Sequence, residues 1–327
     1  MVTRPRRHAV MALLCVAAGV CFGGTIPVQE YVPEIPVSRV DRLRVTALTE
    51  VGQRLVAGGE RGRILFSDDK AVSWQTAASP TSASITAIHF SAGVGLAVGH
   101  HGTLLRSVDE GKTWQAIELR LPDPPALFAV YLKGTHAIAV GSFAAYLESH
   151  DAGQTWQSRK IVNGGSVDGD FDWHLYGITM AHPGVLLIAG EAGTLLRSLD
   201  DGKSWQVLKG PYDGSYFGIL GLKNGSVIVY GMRGHAYRSD DDGGHWQQID
   251  LGGIKSALQG ARELADGSIL LYGNDGVVEV QSKGVGSFRA ERLGSRRTLA
   301  SMIQVGGRLL DVGPSGIHWA VPGASTP

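Results

Sequence analysis

Cysteine is almost missing from this chain: there are two in 327 residues, Cys15 and Cys21, both within the first 24. Downstream of them there is no thiol. Disulfide staples, thiolate metal centres and cysteine nucleophiles are thereby excluded, and stability is left to a buried core, which a chain of this size can build. Charge of one sign is missing as well. Thirty Lys and Arg balance thirty Asp and Glu, and no basic stripe stands out, so nucleic acid and anionic membrane surfaces are not expected partners. The longest mostly apolar run, residues 9–24, falls short of the roughly 20 residues of a membrane span. Phosphate loops, dinucleotide fingerprints and a Ser–His–Asp order are absent, and no cofactor, metal or small-molecule substrate is expected. Glycine, in contrast, is abundant: the 46 glycines are about twice the usual share. They fall regularly between short apolar runs, as turns do in a β protein.

The N-terminus joins a basic start, "RPRRH" (residues 4–8), to that apolar run, with small residues near Gly23. This is the pattern of a secretory signal peptide. Residues 1–24 are expected to direct export, and residues 25–327 to form one domain that works in the periplasm or otherwise outside the cytoplasmic membrane. Val20, not a small residue, precedes Cys21, which speaks against lipid attachment there.

The chain also repeats itself. "GTLLRSVDEGKTWQ" (102–115) returns almost unchanged as "GTLLRSLDDGKSWQ" (193–206), and related phrases end at Trp74, Trp156 and Trp246. The intervals between the tryptophans are 40, 42, 49 and 41 residues, and a decayed copy ends at Phe288. One unit, residues 85–119, divides into four β-rich runs bounded by Gly, Ser or Asp: "ITAIHF", "GLAVG", "TLLRS" and "TWQAIEL". Four short strands about every 40 residues form a propeller blade. Units near 45–77, 85–119, 127–161, 175–209, 216–250, 258–293 and 298–320 make seven. The expected fold is an all-β, seven-bladed β-propeller of four-stranded antiparallel blades. The last unit has only three runs, and "EYVPEIPV" (30–37) is free to supply its outer strand and close the ring, since an outermost strand tolerates Pro33 and Pro36.

The phrase S-x-D-x-G-x-T/S/H-W joins the third strand to the fourth. Its Asp (Asp109, Asp151, Asp200, Asp241) is placed to accept backbone N–H bonds of the turn. Its Gly (Gly111, Gly153, Gly202, Gly243) supplies a positive φ, and its Trp (Trp114, Trp156, Trp205, Trp246) covers the hairpin and the neighbouring blade. Each part has a structural task, and copies on equivalent, distant turns do not converge on one reaction centre. In the first unit Ala71 replaces the Gly. The phrase is the Asp-box, or bacterial neuraminidase repeat. Units such as "AVGHHGTLLRSVDEGKTW" (97–114) resemble the photosystem II stability and assembly factor family over nearly all of the chain beyond residue 24. The resemblance implies an exported, non-catalytic, seven-bladed propeller that binds subunits of a membrane protein complex. That complex is a photosystem or, in a non-photosynthetic host, an exporter of the resistance-nodulation-division class. The family's arginine patch is not carried over, because Arg106, Arg197 and Arg238 recur before the box but Phe66 and Glu148 interrupt the series.

Sialidases share the box, so a sialidase-like glycoside hydrolase is the alternative. Arg61 and Arg233 stand on suitable turns, but the Arg-Ile-Pro of sialidases is absent. His100 and His101 are adjacent in a tight turn, where neighbouring side chains point apart, and no further histidine occupies the equivalent turns of the flanking units. The long interval marks an insertion, "NGGSVDGDFDWHLYG" (163–177), on the face opposite the boxes. Here Asp168, Asp170 and Asp172 alternate with Phe171, Trp173 and His174, and exposed aromatics flanked by charge are ingredients of an interface hot spot. These six residues are the expected partner-binding site. Tyr176 is expected to begin the next strand and pack inward.

Overall fold

The second strands of the repeats explain the architecture. Arg54–Gly59, Val227–Gly231 and Ile269–Gly273 are buried from end to end, which requires a sheet covered on both faces. In the computed structural model, which describes residues 37–161, 172–284, 286–291 and 293–321, neighbouring sheets provide that cover. Six sheets have four antiparallel strands in chain order. The seventh, Ser301–Val305, Arg308–Gly313 and Gly316–Trp319, has three among the described residues. The innermost strands are Val45–Val51, Ile85–Ser91, Leu127–Lys133, Leu175–His182, Tyr216–Gly221, Leu258–Glu263 and Ser301–Val305. Each contacts the next and the last contacts the first, so the protein is a seven-bladed β-propeller. Ser301 Oγ and Arg262 Nη2 both donate to the Leu48 carbonyl, at 3.2 and 3.4 Å, across the closure.

The hydrophobic core is divided in the same way. Seven clusters of buried side chains lie one at each junction between blades. The aromatic that ends each box packs against the preceding blade: Trp114 joins Val56 and Phe66 of blade 1, and Trp205 joins Ile138 and Tyr146 of blade 3. A Cβ on Gly141, at the end of a second strand, would come 2.0 Å from the Ala126 carbonyl, and one on Gly273 would come 2.0 Å from that of Ala257. The same carbonyls accept the next N–H, from Ser142 at 2.8 Å and from Asn274 at 2.9 Å. Only glycine permits that approach.

The hairpins between third and fourth strands share one bonding scheme. Ser107 Oγ donates to Asp109 Oδ1 at 2.8 Å and accepts from the Gly111 N–H at 2.9 Å. Asp109 also accepts from the N–H and hydroxyl of Thr113, at 3.0 and 2.7 Å. The same bonds recur around Asp151 and Asp200, and around Asp241 with the His245 ring in place of the hydroxyl. Gly111, Gly153, Gly202 and Gly243 have φ of 84°, 79°, 86° and 83°. Blade 1 makes the scheme without its glycine: Ala71 takes φ 66°, and its N–H reaches Ser67 Oγ at 2.9 Å.

One expectation is corrected. The outermost strands are two or three residues long, as at Gln115–Ala116, not the seven of "TWQAIEL". An edge strand has a neighbour on one side only, and these are largely exposed. Residues 30–36, expected to close blade 7, lie outside the described residues, and Val37 begins a single helical turn, Val37–Val40. From there the chain joins the ring by the path used between the other blades. The backbone of Asp41 lies against Gly316 as that of Tyr212 lies against Gly193 and that of Ile254 against Gly234.

Candidate protein-binding face

The residue after the first of each innermost strand sets the character of one end of the ring. In blades 1 to 6 the pairing with the second strand slips there by one residue, leaving Thr46, Thr86, Phe128, Tyr176, Phe217 and Gln259 unpaired at a bulge. A bulge bends the strand and re-aims the extra side chain. Thr86 uses its hydroxyl to tie blades together, donating to the Leu127 carbonyl of the next blade at 2.6 Å, and Thr46 bonds the Ile85 carbonyl in the same way. Blades 3, 4 and 5 instead carry aromatic rings. Phe128 and Tyr176 are 5.5 Å apart and Tyr176 and Phe217 6.0 Å apart between centroids. Tyr176 thus joins a half-buried aromatic row across three blades, a correction to the expectation that it packs into the core: the bulge turns it away from its paired neighbours.

The row continues outward through His174. Its ring lies 6.0 Å from Phe128 and stands edge-on to Phe143 at 5.0 Å. Its Nδ1 accepts the Phe143 N–H at 3.2 Å, and the backbone N–H of His174 donates to Glu191 Oε2 at 3.2 Å. The Trp173 carbonyl accepts the Ala144 N–H at 3.0 Å. Phe143 and Ala144 hold φ of 53° and 51°, a conformation that costs a non-glycine residue roughly 1 kcal/mol or more. The turn presents Phe143 to solvent at 73% exposure, with Trp173 beside it at 45%. Met232, on the corresponding turn of blade 5, is also exposed.

Of the six residues expected to bind a partner, the structure places Asp172 and Trp173 in the open and His174 at the hub of the aromatic group. Asp168, Asp170 and Phe171 lie outside the described residues. Phe143 was hidden in the sequence, since a turn reading "SFAA" differs little from its neighbours until its partner is known. Around the ring, Arg42, Arg44, Arg61 and Arg63 line a basic pocket of about 310 Å³ on blade 1. Arg233 stands in a separate pocket with His235 and Lys255.

Residues 126–272, which carry the whole aromatic row, match the family model described as photosynthesis system II assembly factor YCF48. The fold agrees with solved structures of that protein. YCF48 from Cyanidioschyzon merolae aligns with a TM-score of 0.67 over 84% of this chain and 94% of its own, at 16% identity. YCF48 bound to D1 peptide aligns at 0.66 over 89% and 96%, at 13% identity. The chain is thus similar to YCF48 over residues 126–272 and shares its propeller fold. An ancestral GH74 enzyme also shares the fold, with a TM-score of 0.65 over 88% of this chain and 45% of its own, at 12% identity. No curated protein matches the sequence significantly. Within the propeller the box face repeats from blade to blade, whereas the opposite face is basic on blade 1 and aromatic on blades 3 to 5.

Proposed function

We propose that this YCF48-like propeller is a non-catalytic, exported protein-binding module, an assembly or accessory factor for a membrane protein complex. Its partner is held on the aromatic face of blades 3 to 5. The observation that carries this reading is the pair of exposed rings, Phe143 and Trp173, backed by a row of half-buried aromatics that keeps the surface rigid. Large rings anchored on a firm base dominate interface energetics. Binding of a D1 peptide by one structural relative and the span of the family match support a protein partner. The signal-like start supports export, and the partner is a subunit of a photosystem or of a resistance-nodulation-division exporter.

The test is affinity capture of the partner followed by titration. Phe143→Ala and Trp173→Ala are expected to weaken binding by at least about 1 kcal/mol while leaving the unfolding temperature almost unchanged. If both variants unfold much earlier, the rings plug the ring of blades and the binding face lies elsewhere. Mature N-terminal sequencing checks export, and a protein that starts at Met1 in its host would contradict it. One structural neighbour is a glycoside hydrolase and aromatic rows also stack sugars, so turnover of sialosides or β-glucans by the purified protein would replace the binding reading with an enzymatic one.

A further inference from the structure

Blade 3 departs from its neighbours at one position. The residue before the box serine is Arg106 in blade 2, Arg197 in blade 4 and Arg238 in blade 5, but Glu148 in blade 3. Arg106 and Arg197 each reach a carbonyl in the next blade's hairpin, that of Ala152 at 2.8 Å and that of Asp242 at 3.3 Å. A carboxylate cannot donate such a bond. Glu148 is only 4% exposed, so its charge has to be met inside the junction. The sheet register supplies the means. Ala137 pairs with Ser149, which sets His136 opposite His150 with Glu148 on the same face, diagonal to His136. The two imidazoles stack with centroids 5.1 Å apart. His136 Nε2 is 2.9 Å from Glu148 Oε1 and His150 Nε2 is 3.8 Å from Glu148 Oε2, and one donor atom from each residue falls within 4.8 Å of the others.

We propose that His136, Glu148 and His150, all of blade 3, bind a divalent transition-metal ion, Zn²⁺ foremost, beside the junction with blade 4. Tetrahedral zinc with bonds of about 2.0–2.1 Å holds neighbouring ligand atoms about 3.3 Å apart, so the His136–Glu148 pair already approximates one edge of the site. His150 has a side chain 76% exposed and is free to turn its ring toward the ion, and water takes the fourth position. Two imidazoles and one carboxylate are a donor set that zinc accepts readily. The outer partners are in place as well. His136 Nδ1 faces Asp201 Oδ2 of the blade 4 hairpin at 3.3 Å. Glu148 Oε2 accepts from Arg159 Nη1, and Arg159 Nη2 donates to the Lys203 carbonyl at 3.1 Å. A carboxylate behind a ligating histidine and a donor behind a ligating carboxylate fix ring orientation and tautomer at zinc centres.

Titration of the purified protein with Zn²⁺, with Co²⁺ as a spectroscopic substitute, tests the site. One equivalent is expected to bind, to raise the unfolding temperature and, as Co²⁺, to show the intense visible bands of tetrahedral coordination. His150→Ala removes an exposed ligand and leaves the buried pair intact. It is expected to weaken zinc binding at least tenfold with no change in the metal-free unfolding temperature. Glu148→Gln should abolish binding, and a double His100→Ala, His101→Ala variant should bind like the parent. Absence of uptake by the parent, full affinity in His150→Ala, or loss of binding in the His100/His101 double variant would each overturn the proposal.

Discussion

Blades 1 to 5 and blades 6 and 7 share an interior and differ at the rim. In the first group each blade ends in the same serine–aspartate hairpin, whose aromatic ring seats against the blade before it. In the second group the motif has decayed at Phe288 and is missing after Trp319. Among the described residues, a cavity of about 620 Å³ lies outside the junction of blades 6 and 7, lined by Leu264, Leu270, Val280, Leu309 and Val321 among others. The strands inside that junction nevertheless pack as they do elsewhere, with Leu270, Leu299 and Met302 fully buried. The difference teaches that the propeller is held in two separable layers. An inner layer of apolar strands and close-approach glycines is common to all blades, and an outer layer of hairpins reinforces five of them.

The largest effects are therefore expected in the inner layer and should be equal in the two regions. Gly141→Ala in blade 3 and Gly273→Ala in blade 6 each force a methyl group against a backbone carbonyl, at a cost of about 3 kcal/mol, the upper part of the range for overpacking. Urea unfolding measures both. A much smaller loss for Gly273→Ala would show that blade 6 is looser inside as well as at its rim.

The outer layer comes next. Asp109→Ala removes the acceptor of the Ser107 hydroxyl and of the Thr113 N–H and hydroxyl, and should cost about 2 kcal/mol without loss of partner affinity. A variant as stable as the parent would make the hairpin dispensable and erase the distinction between the regions.

Titration sharpens the comparison with smaller effects of opposite sign. Hydrogen bonds from Ser204 and Ser198 hold the Asp200 carboxyl at about 2. Burial pushes Asp151 up, but hydrogen bonds from Thr155 and Ser149 outweigh it and leave that carboxyl also at about 2. The ordinary value is 3.8, so these groups contribute stability that is present above about pH 4 and is lost as pH falls toward 2. Glu279, on the third strand of blade 6, is the reverse case. Burial pushes its carboxyl from 4.5 to about 7, so its contribution is present below about pH 4.5 and is lost as pH rises through 7. Unfolding temperature against pH should show an acid limb that Asp200→Asn flattens and a limb near neutrality that Glu279→Gln flattens. An unchanged neutral limb in Glu279→Gln would detach it from blade 6.

The sequence by itself determined the blade count, the antiparallel four-run grammar and the placement of each hairpin. A 40-residue period with Gly and Asp at turns is a local property of the chain, and the Asp109 carboxylate accepts from Ser107 and Thr113, within four positions of itself. It also marked Trp173 and His174, because an aromatic in an insertion stands out without any knowledge of contacts. Only the tertiary structure decided the rest. Phe128, Tyr176 and Phe217 are 48 and 41 residues apart in sequence and meet because three blades set the same bulge side by side. Phe143 acquires meaning when His174 comes across 31 positions to meet it. His136 and His150 of blade 3, fourteen positions apart, meet Glu148 through strand register, and His136 meets Asp201 through the neighbouring blade. Register and blade order are set by the burial of whole faces, which depends on every strand at once, and a site assembled across blades is therefore invisible until the ring has closed.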